Sequence, residues 1–409
     1  MKTYELQPTY ENLYETFIRD SLRRNEDIFR FADILNAIND SYSIALDGSW
    51  GSGKTFFVKQ TKMFLEANNP HYSFITDEEK EAIKNKHKAI QKHSQTEYQP
   101  QVCVYYDAWE NDNDDDPVLS LIYTIVKNID IEFEAIDEPD YLEKAASILE
   151  VFTGKNWGEI IAAFKSEDPL KKLRKNKELE EKINDFLESL LTERGNRLVI
   201  FIDELDRCKP SYAVKLLERI KHYFINDRIT FVFSINMNEL QHTIKKHYGN
   251  DFDACRYIDR FFDLRLSLPP VDMTLFYQTI MFQHTRWTYD VVCHRVIEYF
   301  GFTLRETSKF ILQSKIAASV PTHDDNKFNF SFPDGQARLF SLMYVVPILI
   351  GLKLADSDKY EKFIAGKEAT PMIEILTNLQ DHDFSRFLSR NETFDKNEMK
   401  KMQLQKNRK

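Results

Sequence analysis

Gly48-Ser49-Trp50-Gly51-Ser52-Gly53-Lys54-Thr55 is the stretch that decides how this chain is read. It has the form G-x-x-x-x-G-K-[ST], a loop that cradles phosphate. Ser43-Ile44-Ala45-Leu46 before it reads as a short strand, and the residues from Thr55 to Leu65 read as a helix. Strand, glycine-rich loop and helix stand in the order that phosphate binding needs. Gly48, Gly51 and Gly53 are expected to open backbone angles closed to other residues, so that successive N–H groups point inward. With Ser49, Trp50 and Ser52 between them, and the helix N-terminus behind, they form a partly positive cup for β- and γ-phosphates. Lys54 reaches the same phosphates as a point charge. The Thr55 hydroxyl is a hard oxygen suited to Mg²⁺.

A second motif lies far downstream. Leu198-Val199-Ile200-Phe201-Ile202 is an apolar run that reads as a fully buried strand, and Asp203-Glu204 stand at its carboxyl end. Asp203 is expected to hold Mg²⁺ through water. Glu204 is expected to orient and polarise the water that attacks the γ-phosphate, because this chemistry is mostly positioning and charge stabilisation. A buried strand ending in two acids at a turn is the plain alternative, and the upstream loop argues against it.

Composition bounds the rest. The chain has 409 residues, a net charge of −10, 42% hydrophobic and 29% charged residues. That is the make-up of a water-soluble globular protein with room for a large core, and not of a molecule that binds polyanions over its whole surface. Cys103, Cys208, Cys255 and Cys293 lie far apart with no C-x-x-C, so free thiols in a reducing compartment, the cytoplasm, are expected. No signal peptide is visible in the polar start, and the apolar run from Leu339 to Leu352 is too short to span a membrane, so a buried helix is expected there.

Strands are also expected at Val102–Tyr106 and Ile229–Ile235, and a helix with one apolar face after Pro117. The acidic residues from Asp112 to Asp116 read as a capping loop before that helix. Residues 68–100 are polar without an apolar period and read as an insertion or long hairpin. Residues 130–195 read as a second, charged helical insertion, with a basic cluster from Lys165 to Lys177. From Pro269-Pro270 onward the pattern is mostly helical. Strands alternating with helices around the loop imply an α/β fold, a parallel sheet with helices on both faces, helical insertions and a mostly helical C-terminal region. The expected division is a core over residues 1–270, a helical lid-like region over 271–320, and a helical C-terminal region over 321–409.

Several segments together resemble the KAP family of P-loop NTPases, related to AAA+ and STAND ATPases. They are the loop from Asp47 to Thr55, then Tyr106-Asp107-Ala108-Trp109-Glu110, then Ile202-Asp203-Glu204-Leu205-Asp206-Arg207-Cys208. Tyr257 to Asp263 running into Leu268-Pro269-Pro270, and Thr303 to Phe310, complete the match. The resemblance implies ATP and Mg²⁺ as ligands. It places Asn236 where a sensor of the γ-phosphate stands, with an Asx-turn as the alternative, and makes Arg305 look like the sensor Arg of a helical lid. Arg256 and Arg260 become candidates for a finger acting on a neighbour's nucleotide, which implies a homo-oligomer, or else local ion pairs. Asp206 and Arg207 are read as pairing within their motif, and Trp109 as a packing anchor. Many members carry transmembrane helices within the domain; the insertions here are polar. Prokaryotic members often lie in defence contexts.

The leading expectation is an ATPase acting as a nucleotide-driven conformational switch with an effector protein as partner, extended to anti-phage defence. The basic cluster motivates a nucleic-acid-stimulated ATPase instead. An ATP-binding scaffold without turnover is the non-enzymatic alternative. Glu204 weighs against a small-molecule kinase.

Overall fold

The computed structural model describes residues 6–91, 96–114, 116–129, 181, 183–188, 190–224, 226–279, 288–319 and 341–377. The chain divides into two compact units. One runs from Gln7 to Leu275, and the other takes in the described residues from Phe276 onward.

The first unit is built on a five-stranded sheet. Its strands are β1 (Tyr42–Asp47), β2 (Gln101–Asp107), β3 (Arg197–Asp203), β4 (Ile229–Ile235) and β5 (Leu264–Ser267), in the order β2-β3-β4-β1-β5. Every pairing is parallel. The register puts Asp107 opposite Asp203, Asp203 opposite Ser234, and Ser234 opposite Leu46. The polar ends of β1, β2, β3 and β4 therefore finish along one edge.

Apolar runs form β3 and β4 because both faces are covered, and every residue of each is buried. Successive side chains point to opposite faces. Ile44, Leu46, Val199, Phe201 and Val232 meet Phe17, Phe29, Phe57 and Phe64. Those phenylalanines come from α1 (Tyr10–Arg19), α2 (Asn25–Ala37) and α3 (Lys54–Asn68). On the other face Val104, Tyr106, Ile200, Ile202, Phe231 and Phe233 share one cluster with Leu121, Leu216 and Leu240. There the helices are α5 (Pro117–Ile129), α6 (Pro210–Tyr223), α7 (Met237–Tyr248) and α8 (Ala254–Asp259). Each such buried side chain contributes about 1.5–3 kcal/mol, enough to hold the strand tips rigidly where the polar residues begin.

Asp116 caps α5 by accepting from the Val118 and Leu119 amides at 2.9 and 3.4 Å, the role its acidic loop predicts. Two expectations change. Within residues 68–100 the chain forms helix α4 (Asp77–Ile90), opened by a capping box in which Thr76 and Glu79 satisfy each other's amides. One buried residue, Ile83, anchors it, so no apolar period marks it. β5 also goes unmarked in the sequence: it is four residues long and half-exposed in alternation, and pairs with β1 alone.

The second unit is helical where it is described. Its helices include α9 (Thr288–Phe300), α10 (Leu304–Ser319), α11 (Val346–Ala355), α12 (Ser357–Ile364) and α13 (Thr370–Thr377). The apolar run expected to be buried supplies α11, which buries Pro347, Ile348, Gly351 and Leu352. Gly351 lies so close to α9 that a Cβ there would stand 2.3 Å from Val296 Cγ1. Among the described residues no helix is long and apolar enough to cross a membrane. The basic cluster from Lys165 to Lys177 lies outside the described residues.

Candidate phosphate and metal site

The glycine-rich loop connects β1 to α3. Gly51 and Gly53 take left-handed backbone, at φ 76° and 91°, which an L side chain resists. Gly48 does not share that conformation. Its requirement is space: a Cβ would sit 3.1 Å from Ser52 Oγ, 3.2 Å from Leu268 Cβ and 3.3 Å from Lys54 Cγ. The loop is therefore closed by two left-handed glycines and by one glycine of close approach. Ser52 Oγ donates to the Ser49 carbonyl at 2.7 Å and tightens the turn. Gly53 precedes α3 with no side-chain cap, so the first-turn amides of that helix keep their donor capacity.

Lys54 is buried at the start of α3, and its Nζ donates to the Gly48 and Ser49 carbonyls at 2.6 and 3.2 Å. Burial pulls its pKa down, opposed by the nearby Asp206, Asp203 and Glu204 carboxylates. Thr55 Oγ1 donates to Asp203 Oδ2 at 2.6 Å. This bond joins two motifs that stand 148 positions apart in the sequence. Asp203 is fully buried at the tip of β3. It accepts from the Tyr105 hydroxyl at 3.0 Å and from the Glu204 amide at 3.0 Å.

Glu204 stands just past the strand in left-handed conformation, at φ 61°. Burial, then the adjacent Asp203, pushes its pKa up to about 7, and the Arg207 cation works against the rise. Arg207 Nε pairs with Glu204 Oε2 across a single 3₁₀ turn, Leu205–Arg207. The expected pairing of Asp206 with Arg207 is not made. Asp206 accepts instead from Trp50 Nε1 at 2.6 Å, which ties the phosphate loop to the acidic motif. The left-handed residue at Glu204 turns the chain so that positions 204 and 207 meet. Trp109, read as a packing anchor, has its ring half-exposed and stacked near the Arg207 guanidinium at 5.5 Å.

Other residues complete the surroundings. Asp107, at the tip of β2, accepts from the Trp109 and Glu110 amides at 3.1 and 3.0 Å and so shapes the loop beside Asp203. Burial raises its pKa. Arg24, buried at the start of α2, donates to the Ser52 carbonyl at 3.0 Å and to the Pro269 carbonyl. Burial lowers its pKa to about 10. Sequence reasoning missed Arg24, for which no local pattern exists, since its partners lie 28 and 245 positions away.

The remaining sequence-predicted residues are dispersed. Asn236 follows β4 and caps α7, its Oδ1 accepting from Asn238 and Glu239 amides at 3.2 and 3.4 Å, so the Asx-turn alternative describes what its carbonyl does. Arg256 is exposed and pairs with Asp253 at 3.4 Å. Arg260 closes α8 and shares a cavity of about 190 Å³ with Ser41, Ser43 and Asp263 at the amino-terminal edge of the sheet, away from Lys54. Arg305 is exposed in the first turn of α10, in the second unit; Thr303 and Glu306 form a capping box there, at 2.9 and 3.4 Å. Among the described residues no group of three or more His, Cys, Asp or Glu side chains gathers as a metal cage. The hard-oxygen pair of Thr55 and Asp203 is instead what suits Mg²⁺, which keeps several waters and takes only a few protein ligands.

Comparison with solved structures finds the Aeropyrum pernix ORC2 protein in ADPNP–ADP complexes, 15% identical, covering 88% of this chain and 77% of that one, with a TM-score of 0.32. It also finds C. elegans PCH-2, 11% identical, covering 89% and 72%, with a TM-score of 0.24. No curated protein sequence matches. The model of the KAP family P-loop domain matches residues 24–289, which take in β1 to β5, the phosphate loop and the Asp203-Glu204 motif. With that match over well more than half its length, and with the loop geometry above, the chain belongs to the KAP family of P-loop NTPases.

Proposed function

We propose that this protein binds ATP with Mg²⁺, hydrolyses the β–γ phosphoanhydride, and uses the cycle as a conformational switch. The observation that carries the reading is the Thr55–Asp203 hydrogen bond of 2.6 Å, which sets the two hard-oxygen donors against each other with Glu204 next in the chain.

The residues divide the work. The amides of the loop and of the first turn of α3 donate to the β- and γ-phosphate oxygens. Lys54 exchanges the Gly48 and Ser49 carbonyls for phosphate oxygens of higher charge. Thr55 and Asp203 would hold Mg²⁺, directly and through water. When bound, Mg²⁺ neutralises charge on the β- and γ-oxygens. Glu204 orients the attacking water and draws its proton as the oxygen bonds to the γ-phosphorus and the bond to the bridging oxygen breaks, releasing ADP. Tyr105 keeps Asp203 in place through its hydroxyl.

Support for the switch comes from the separate helical unit, whose Arg305 is proposed to reach nucleotide on closure, and from Asn236 at the tip of β4. Arg260, at the opposite sheet edge, is proposed to act on a neighbouring copy. Three buried free thiols, Cys103, Cys208 and Cys293, support a reducing compartment such as the cytoplasm. The anti-phage extension rests on family resemblance alone; Lys54→Ala is expected to abolish plaque protection, measured beside the wild type.

The test is phosphate release from Mg²⁺-ATP by the protein and by Glu204→Gln. Hydrolysis predicts turnover in the first, and loss of about 100-fold or more in the second with ATP binding kept. Binding without turnover in the wild type would establish the scaffold alternative instead.

A further inference from the structure

Arg207 brings together the phosphate loop, the β2–α5 loop and Glu204. Its Nε pairs with Glu204 Oε2. Its guanidinium lies 5.6 Å from the Trp50 ring centre and 5.5 Å from that of Trp109. Both distances are within reach of a cation–π attraction. Trp50 is itself fixed by donating to Asp206 at 2.6 Å, and the amide of Trp109 is fixed by Asp107 at 3.1 Å. The cation thus lies near one ring fixed through its indole nitrogen and a second carried on a fixed backbone, and it is ion-paired with one oxygen of the carboxylate. Glu204 Oε1 makes no hydrogen bond among the described residues, so that oxygen keeps its accepting capacity.

We propose that Arg207 is a positioning residue, held by Trp50 and Trp109, which fixes Glu204 through Oε2 and leaves Oε1 to accept the attacking water. The proposal rests on the hydrolytic reading of Glu204. Three features support it. A planar guanidinium held by two aromatic rings has few orientations left, whereas a lysine ammonium on a flexible stem would keep many. The left-handed backbone at Glu204 brings the pair together in one turn, so the contact is local and survives movement elsewhere. Trp50 belongs to the phosphate loop itself, so a phosphate that settles in the loop also settles the ring that holds Arg207. Arg207 acts only through Glu204 and makes no contact with reacting atoms.

Positioning and mere structural support are separable by a double-mutant cycle. Phosphate release and ATP affinity are measured for the full chain, Arg207→Ala, Glu204→Gln and the double variant, under single-turnover conditions. Misplacing the carboxylate should slow turnover roughly 100-fold, with ATP affinity within about threefold of wild type. In the Glu204→Gln background the same change should slow turnover no further. Arg207→Lys, which keeps the charge without the planar stack, should fall between the two, and it repeats the cycle if Arg207→Ala does not fold. Equal losses in both backgrounds, or a loss confined to ATP affinity, would overturn the assignment and leave hydrolysis standing. No phosphate release by the wild type would overturn the hydrolytic reading, and the assignment of Arg207 with it.

Discussion

Gly53 stands at φ 91° immediately before Lys54, and an L residue pays roughly 1–2 kcal/mol to hold that conformation. Gly53→Ala should therefore weaken ATP binding by about tenfold, the equivalent of 1.4 kcal/mol, as read by titration calorimetry; unchanged affinity would show that the loop has another way to present its amides. At this scale contiguous motifs were legible and contacts were not. Residues 48–55 and Asp203-Glu204 could be read because phosphate binding demands neighbouring residues. The partner of Arg207 could not, since the choice between Asp206 and Glu204 depends on the left-handed turn at Glu204, which nothing local announces. Gly48 was assigned freedom of angle when it needs freedom from contact, and the contact comes from Leu268, far away in the sequence.

Helices show the same division. α5 was legible because Pro117 opens it and its apolar residues repeat along one face. α4 was not, although Thr76-Asp77-Glu78-Glu79 carries the capping box that starts it. The apolar period failed there because a helix anchored by Ile83 alone buries no stripe. Thr76→Ala should lower stability by about 1 kcal/mol in urea unfolding, the usual value of an N-cap; no change would mean that α4 frays independently of the core. α11 makes the opposite demand. Gly351 has no room for a side chain against Val296, so Gly351→Ala should destabilise the second unit by about 1–3 kcal/mol through overpacking, despite alanine's better helix propensity. A rise in the unfolding midpoint would show that α9 and α11 can move apart.

At the scale of the whole molecule, a ligand that binds only the folded chain stabilises it by mass action. Mg²⁺-ATP at about 100 times its dissociation constant should add about 2.7 kcal/mol to unfolding free energy. Lys54→Ala should show none of that gain, and chelation of Mg²⁺ with EDTA should reduce it in the wild type; equal stabilisation of the variant would place the nucleotide elsewhere. The sheet was largely legible because parallel strands buried on both faces read as apolar runs. Only β5, short and at an edge, escaped. The left-handed backbone at Glu204 reaches this scale too. Only two other described non-glycine residues, Asp20 and Arg23, share such backbone. Folding physics alone would favour glycine or asparagine at position 204. A glutamate stands there instead, at a cost to stability of order 1 kcal/mol. If hydrolysis is what Glu204 serves, Glu204→Asn would trade turnover for a sturdier protein, so the strained backbone at this one position would mark where stability and chemistry pull apart.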